Sequence, residues 1–323
     1  MDICPVEDVA ALTAWQTVEV AARAVDHVAL PADPIEERLP LLDPVAPNAG
    51  EKTLLRLGAM QGAAVATAEI SPPTLDNLSS CSVDVRVHPA HRRLGFGRLL
   101  LTAVLAEVQK MGRTIVFFEA PSPYPSGPGI SEHLLQSVGA RPVLQEIRRL
   151  LDQSTVQLPD VNPGPYRLVQ WVDTAPEEQV EGLADLCARM STDAPMGDMT
   201  YEPELWDVAR YRAKEASAQA RGRQRFAVAA VDRAGQVAGM TDIGVNRSAP
   251  TVGYQWDTIV AAAHRGHRLG LAMKVANHCQ LRALLPACRW VNTWNAASNE
   301  HMVAVNDALG FRPVECWTEW QLG

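Results

Sequence analysis

The chain has 323 residues, enough for about two domains. Hydrophobic residues make up 47% and charged residues 20%, which excludes disordered and fibrous classes. A net charge of −8 argues against a broad nucleic-acid surface, and no run of roughly 18 apolar residues is present to span a membrane.

The first fifteen residues, MDICPVEDVAALTAW, hold no Lys or Arg, so no signal peptide is expected and the cytoplasm is the expected location. Cys4, Cys81, Cys187, Cys279, Cys288 and Cys316 form no CxxC pair. They are expected to be buried, reduced thiols rather than a disulfide frame or a zinc knuckle, and no metal site is expected.

In chain order, residues 1–26 read as an opening helix. Residues 82–87 form a β-branched strand, 89–97 a loop, and 98–111 a helix with Leu99, Leu100, Val104, Leu105 and Val108 at helical spacing. Gly112 ends that helix. Residues 114–118 form a second strand, and 131–138 a helix stopped at Gly139. Residues 152–165 are rich in Pro, Ser, Asn and Asp and read as a linker.

The order then recurs. Residues 176–190 open as a helix, and 226–231 with 237–242 form a hairpin. Residues 253–260 are a strand, 264–270 a loop, 271–285 a helix, 289–294 a strand, and 298–309 a helix stopped at Gly310. Strands and helices in this order predict an α/β (α+β) fold.

The recurrence is residue by residue. Asp84, Val87, His91 and Arg92 match Asp257, Val260, His264 and Arg265 at an offset of 173. Arg93-Leu-Gly-Phe-Gly97 fits Arg268-Leu-Gly-Leu-Ala272 at 175, which predicts a second loop two residues longer. Val138-Gly-Ala-Arg-Pro-Val143 fits Leu309-Gly-Phe-Arg-Pro-Val314 at 171. The chain therefore reads as two copies of one fold, spanning 1–155 and 166–323.

A Gly- and Arg-rich loop that opens a helix offers free backbone N–H groups and the positive end of the helix dipole. It is a ready pyrophosphate cradle, and Arg92, Arg93, Arg265 and Arg268 add charge beside it. The alternative, a plain strand–helix turn with solvated arginines, has to be met twice in matched surroundings.

Val87-x-Pro89-x-x-Arg92-Arg-x-Gly95-x-Gly97 resembles the acyl-CoA loop of the GNAT superfamily of N-acetyltransferases. Asn295, Asn299, Asn306 and Leu309-Gly-Phe311 resemble that family's second half. The 189–198 segment, the 264–270 loop and Thr293-Trp-Asn295 resemble the tandem, two-copy actinobacterial type. The resemblance implies two GNAT-like domains, each a mixed, mostly antiparallel sheet with splayed central strands and flanking helices. It implies acetyl-CoA as cofactor and a small-molecule amine as acceptor, with no nucleic-acid or membrane partner and a monomer or homodimer.

By that resemblance acyl-CoA contacts fall in copy one on Val85, Val87, Arg92, Arg93, Gly95, Phe96, Gly97 and Arg98. In copy two they fall on Ile259, Val260, Arg265, Gly266, His267, Arg268, Gly270, Leu271, Ala272, Asn295 and Asn299. An alkylammonium must lose a proton before it attacks a thioester, so a strand carboxylate, Asp257, is the candidate base. A backbone N–H near Ile259 or Val260 is the candidate oxyanion donor. The family's usual tyrosine acid is missing: Asn306 and Leu135 stand at its positions, and Tyr254, Tyr201, solvent or release as free thiolate are the candidate substitutes. Asp193, Asp198 and Trp206 are candidate acceptor contacts, and the two aspartates also suit helix caps. Asn295 and Asn299 flank the expected helix start, so capping accounts for at least one of them. Copy two holds the fuller polar set and is expected to do the chemistry. The competing reading is an acyl-CoA-binding sensor or scaffold without turnover.

Overall fold

The computed structural model describes residues 1–323 except Gln61, Ser126, Pro128 and Ala194. Ser126 and Pro128, in the predicted Pro/Gly-rich loop 120–129, and Ala194, in the polar segment 189–198, thus lie outside the described residues. Two compact units result. Unit 1 is Met1–Gln145, Gly197–Tyr201 and Cys316–Gly323; unit 2 is Glu146–Met196 and Glu202–Glu315.

The first stretch of chain forms β1 (Asp2–Pro5), α1 (Val9–Asp26), α2 (Ile35–Arg38), β2 (Leu54–Met60), β3 (Ala63–Ser71), β4 (Ser80–Val87), α3 (Phe96–Lys110), β5 (Ile115–Pro123) and α4 (Glu132–Ser137). Next comes β6 (Arg141–Asp152), most of which belongs to unit 2. Unit 2 continues with β7 (Arg167–Val172), α5 (Glu177–Asp193), α6 (Val208–Ala220), β8 (Arg223–Val231), β9 (Val237–Asn246), β10 (Val252–Val260), α7 (Leu269–Leu284), β11 (Trp290–Ala296) and α8 (Glu300–Leu309). The chain ends in β12 (Arg312–Leu322), which passes from unit 2 into unit 1.

Each sheet is mixed and mostly antiparallel, with one parallel pair at its centre. Unit 1 has the strand order β1-β2-β3-β4-β5-β12, and unit 2 has β6-β11-β10-β9-β8-β7. The parallel pairs are β4 with β5 and β10 with β11. The compact units do not follow the segments 1–155 and 166–323. The last strand of each sheet comes from the other copy in sequence, because β12 pairs beside β5 and residues 146–152 of β6 pair antiparallel with β11.

Side-chain alternation explains the layers. Along β8, Phe226, Val228 and Ala230 pack with α7 residues, while Ala227, Ala229 and Val231 pack with α5 residues. Both faces are covered, so β8 is buried almost throughout. In unit 1, Phe96, Leu100, Leu101, Val104 and Val108 of α3 pack on β3, β4 and β5, with Trp320 in the same cluster. Helix ends follow local chemistry. Asp8 and Asp207 accept the Ala11 and Arg210 N–H groups at the starts of α1 and α6. Gly139 and Gly310 follow α4 and α8 at φ 88° and 90°, matching the two predicted stops.

Residues 1–26 depart from expectation at their start, where Asp2–Pro5 pair with β2 as a strand. The linker segment is irregular, and its Val156, Leu158 and Val161 pack against the unit 2 core.

Candidate functional site

In each unit the central parallel ladder stops early. β4 pairs with β5 only over Ser80–Ser82, and β10 with β11 only over Val252–Tyr254. All four strands continue beyond these pairs, so their facing edges carry backbone groups with no strand partner. A register shift between Gln255 and Thr258 marks the same place on β10, where a bulge re-aims the strand.

Strand alternation assigns the N–H groups along this edge. Ala261 N–H donates to Ala238 O, and Ile259 pairs with Met240 in the same ladder. Ile259 therefore turns its N–H toward β9, and Val260 turns its own away from β9, toward the gap. Of the two candidate backbone donors, Val260 has the right orientation. Val87 stands in the same relation to β3, because His88 N–H donates to Val65 O.

The two loops after β4 and β10 have one plan and one length. In unit 1, Arg92 Nε donates to Val87 O at 3.1 Å, and its guanidinium grips Asp26, the last residue of α1, at 2.8 and 2.6 Å. In unit 2, Arg265 Nε donates to Val260 O at 3.1 Å and its Nη2 meets Asp193, the last residue of α5, at 2.6 Å. Left-handed residues fall in step: Arg93 and Gly95 at φ 63° and 87°, Gly266 and Arg268 at 83° and 56°. α3 starts at Phe96 and α7 at Leu269.

One offset of 173 thus covers the whole loop, and the longer second loop is corrected. Arg268 stands opposite Gly95, and Gly270 opposite Gly97. Leu271 and Ala272 lie inside α7, buried, with Leu271 in the apolar core. Arg92 and Arg265 brace their loops to the preceding helices. Arg93, Arg98, Arg265 and Arg268 are exposed cations there, with the His267 ring exposed beside them. Neither α3 nor α7 has a side-chain cap at its start, so the first-turn N–H groups of both are left to solvent or to an anion. A Cβ built on Gly97 lies 3.3 Å from Val87 Cγ2, while one on Gly270 meets nothing within 4 Å. These residues fit a pyrophosphate.

Asp257 lies on β10 just beyond the paired residues. Its Oδ2 accepts from Lys214 Nζ of α6 at 2.7 Å. Burial pushes the carboxyl up, but Lys214 more than reverses this and holds it below its ordinary value. Lys214 is raised despite burial, chiefly by Asp257. The carboxylate stays ionised and engaged. Asp84 is likewise paired, with Arg86. Tyr254 stacks on Trp294 with ring centres 6.4 Å apart.

Of the expected acceptor contacts, Trp206 lies beside the Asp257 pair, with Lys214 Nζ 5.6 Å from its ring centre. Asp193 is taken by Arg265. Asp198 falls in unit 1, where its N–H donates to Val143 O at 2.9 Å. Trp206 is in unit 2 beneath Arg210 at 4.4 Å, and its Nε1 donates to Glu204 at 2.8 Å.

The asparagines divide. Asn299 caps α8 by accepting Met302 N–H at 3.1 Å. Asn306 is fully buried; its Nδ2 donates to Asn295 Oδ1, and its Oδ1 accepts from Lys274 Nζ at 2.5 Å. The sequence reading passed over Lys274. It lies on α7 in the buried stripe Leu271, Lys274, His278 and Leu281, and a cation at apolar spacing was the available signal. Burial pushes its amine down to about 7. Burial also pushes the neighbouring His278 ring down to about 3, and its Nδ1 lies 2.9 Å from Gln153 Nε2. In unit 1 the matching positions are Leu101 and Leu135, both core residues. The polar cluster belongs to unit 2 alone.

No family model matches the chain, and no curated protein matches it. Solved structures do. A tandem GNAT protein from the clavulanic acid biosynthesis pathway is 26% identical, covering 99% of this chain and 97% of its own, with a TM-score of 0.83. A GCN5-related N-acetyltransferase from Sphaerobacter thermophilus is 17% identical, with coverages of 99% and 95% and a TM-score of 0.66. A putative acetyltransferase from Pyrococcus horikoshii is 11% identical, with coverages of 99% and 89% and a TM-score of 0.60. These last two show likeness of fold.

Proposed function

We propose that this chain, a GNAT-type acetyltransferase of the tandem class, moves an acetyl group from acetyl-CoA to the amine of a small molecule, and that unit 2 does so. One observation carries the assignment to unit 2. Its parted strand pair adjoins a polar cluster, Lys274, Asn306 and Asn295, and unit 1 has Leu101 and Leu135 at the first two of these positions.

Acetyl-CoA, when bound, supplies a reactive thioester. The chain's own residues do the rest. The first-turn N–H groups of α7 hold the pyrophosphate, with His267 and Arg268 beside them. The open edge of β10 would hold the pantetheine arm through its unpaired backbone groups. Val260 N–H points into the gap and is placed to bind developing negative charge. Asp257 draws a cationic amine toward the gap and accepts its proton once Lys214 gives way. No helix among the described residues is long and apolar enough to cross a membrane. A cytoplasmic protein acting on a diffusible amine fits that.

A second reading holds for unit 1: acyl-CoA binding without turnover. It is favoured by the apolar pair Leu101 and Leu135 where unit 2 has Lys274 and Asn306. The test is release of free CoA from acetyl-CoA across a panel of aminoglycosides, amino sugars, polyamines and amino-acid derivatives. Stimulation by one class supports transfer. Saturable acetyl-CoA binding without release from any amine would leave the binding-only reading for both units.

A further inference from the structure

Lys274 Nζ touches one hydrogen-bond partner, Asn306 Oδ1 at 2.5 Å, and lies 5.4 Å from the Phe311 ring centre. The side chain is 1% exposed, and no carboxylate pairs with it among the described residues. Burying an amine this way is costly. The fold does not demand it, since unit 1 builds the same helix pair with Leu101 and Leu135 in its core. The lysine is there for what it does to its neighbours.

Lys274 Nζ donates to Asn306, so the Asn306 atom facing it is the carbonyl oxygen. That fixes the amide and turns Asn306 Nδ2 onto Asn295 Oδ1. Asn295 is then left with its own Nδ2 as a donor, engaged by no other described residue. Asn295 sits on β11 beyond Asn292, the last residue paired with β10, beside the edge where the strands part.

We propose that Lys274 is a positioning residue: it sets the amide orientation of Asn306 and Asn295, so that Asn295 Nδ2 stands as a fixed donor for the acyl-carrying arm in the unit 2 gap. This rests on the reading that unit 2 binds acetyl-CoA.

The test uses the full chain with acetyl-CoA and hydroxylamine as a generic acceptor, reading CoA release together with calorimetric acetyl-CoA affinity. Lys274→Met keeps the bulk and removes the donors. It is expected to lower kcat at least tenfold and to raise the KM and Kd for acetyl-CoA together about fivefold, at an undiminished Tm. Lys274→Leu with Asn306→Leu copies the pair unit 1 already folds with. That double variant is expected to fold and to lose about as much kcat as the single one, since both break one chain of contacts. An unchanged kcat in Lys274→Met overturns the proposal, and so does a loss of affinity that tracks a falling Tm. A wild-type chain that neither binds acetyl-CoA nor releases CoA overturns the acetyl-CoA reading itself, an outcome separate from the other two.

Discussion

Lys214 Nζ and Asp257 Oδ2 meet at 2.7 Å, joining α6 to the strand whose far edge is open. The ion pair is half-buried, and each partner sets the other's charge. Any base chemistry at Asp257 competes with Lys214. Asp257→Asn is expected to lower turnover at least tenfold and leave acetyl-CoA affinity within about twofold. It also strands a lysine, at a cost of about 1–3 kcal/mol in stability. Steady-state kinetics beside calorimetry checks both, and turnover within about threefold of wild type would remove Asp257 as the base.

Lys274 gives a stability signature in alkali. Its folded value of about 7 lies below the ordinary 10.5, so between these values the unfolded chain binds more protons. The penalty of burying the charge is full below pH 7 and fades as pH rises toward 10.5. Unfolding free energy is therefore expected to gain an increment over that window, and Lys274→Met to remove it. Denaturant midpoints of the two chains at pH 7 and 9 measure the difference.

His278 acts in the acid range. Its ring is held to about 3 against an ordinary 6.5, so the unfolded chain gains a proton there that the folded chain refuses. Stability is expected to fall as pH drops from 6.5 toward 3. His278→Gln, which keeps an amide for Gln153, is expected to flatten that fall in acid denaturation curves.

The loop glycines differ in cost. Gly95 adopts φ 87°, which suits glycine, while Arg268 adopts φ 56° at the matching place. Gly95→Ala is expected to cost about 1 kcal/mol, and Arg268→Gly to gain up to about 1 kcal/mol. Thermal unfolding of both variants tests the common register of the two loops.

Much of this architecture is legible in the sequence, because the repeated strand–loop–helix unit carries its own punctuation. Gly139 and Gly310 stop α4 and α8, and the β-branched run of β10 declares itself. Other parts are not legible for physical reasons. β3, AAVATAEIS, is too rich in alanine to show a strand by composition. A strand's sequence fixes its faces but not its neighbour, so nothing local shows that β12 lies beside β5. Aligning glycine to glycine lengthened the second loop, whereas Arg268 itself takes the left-handed conformation. Lys274 was passed over because a lysine on a helix is usually solvated, and only the apolar stripe around it says otherwise.

The most direct test is a calorimetric titration of acetyl-CoA into the full chain carrying Arg92→Ala and Arg93→Ala. Those changes unbrace the unit 1 loop from Asp26 and leave unit 2 untouched. The account predicts saturable binding at one site per chain, with CoA release on adding a suitable amine. Loss of all binding in this variant would contradict it, since unit 2 would then hold no acetyl-CoA.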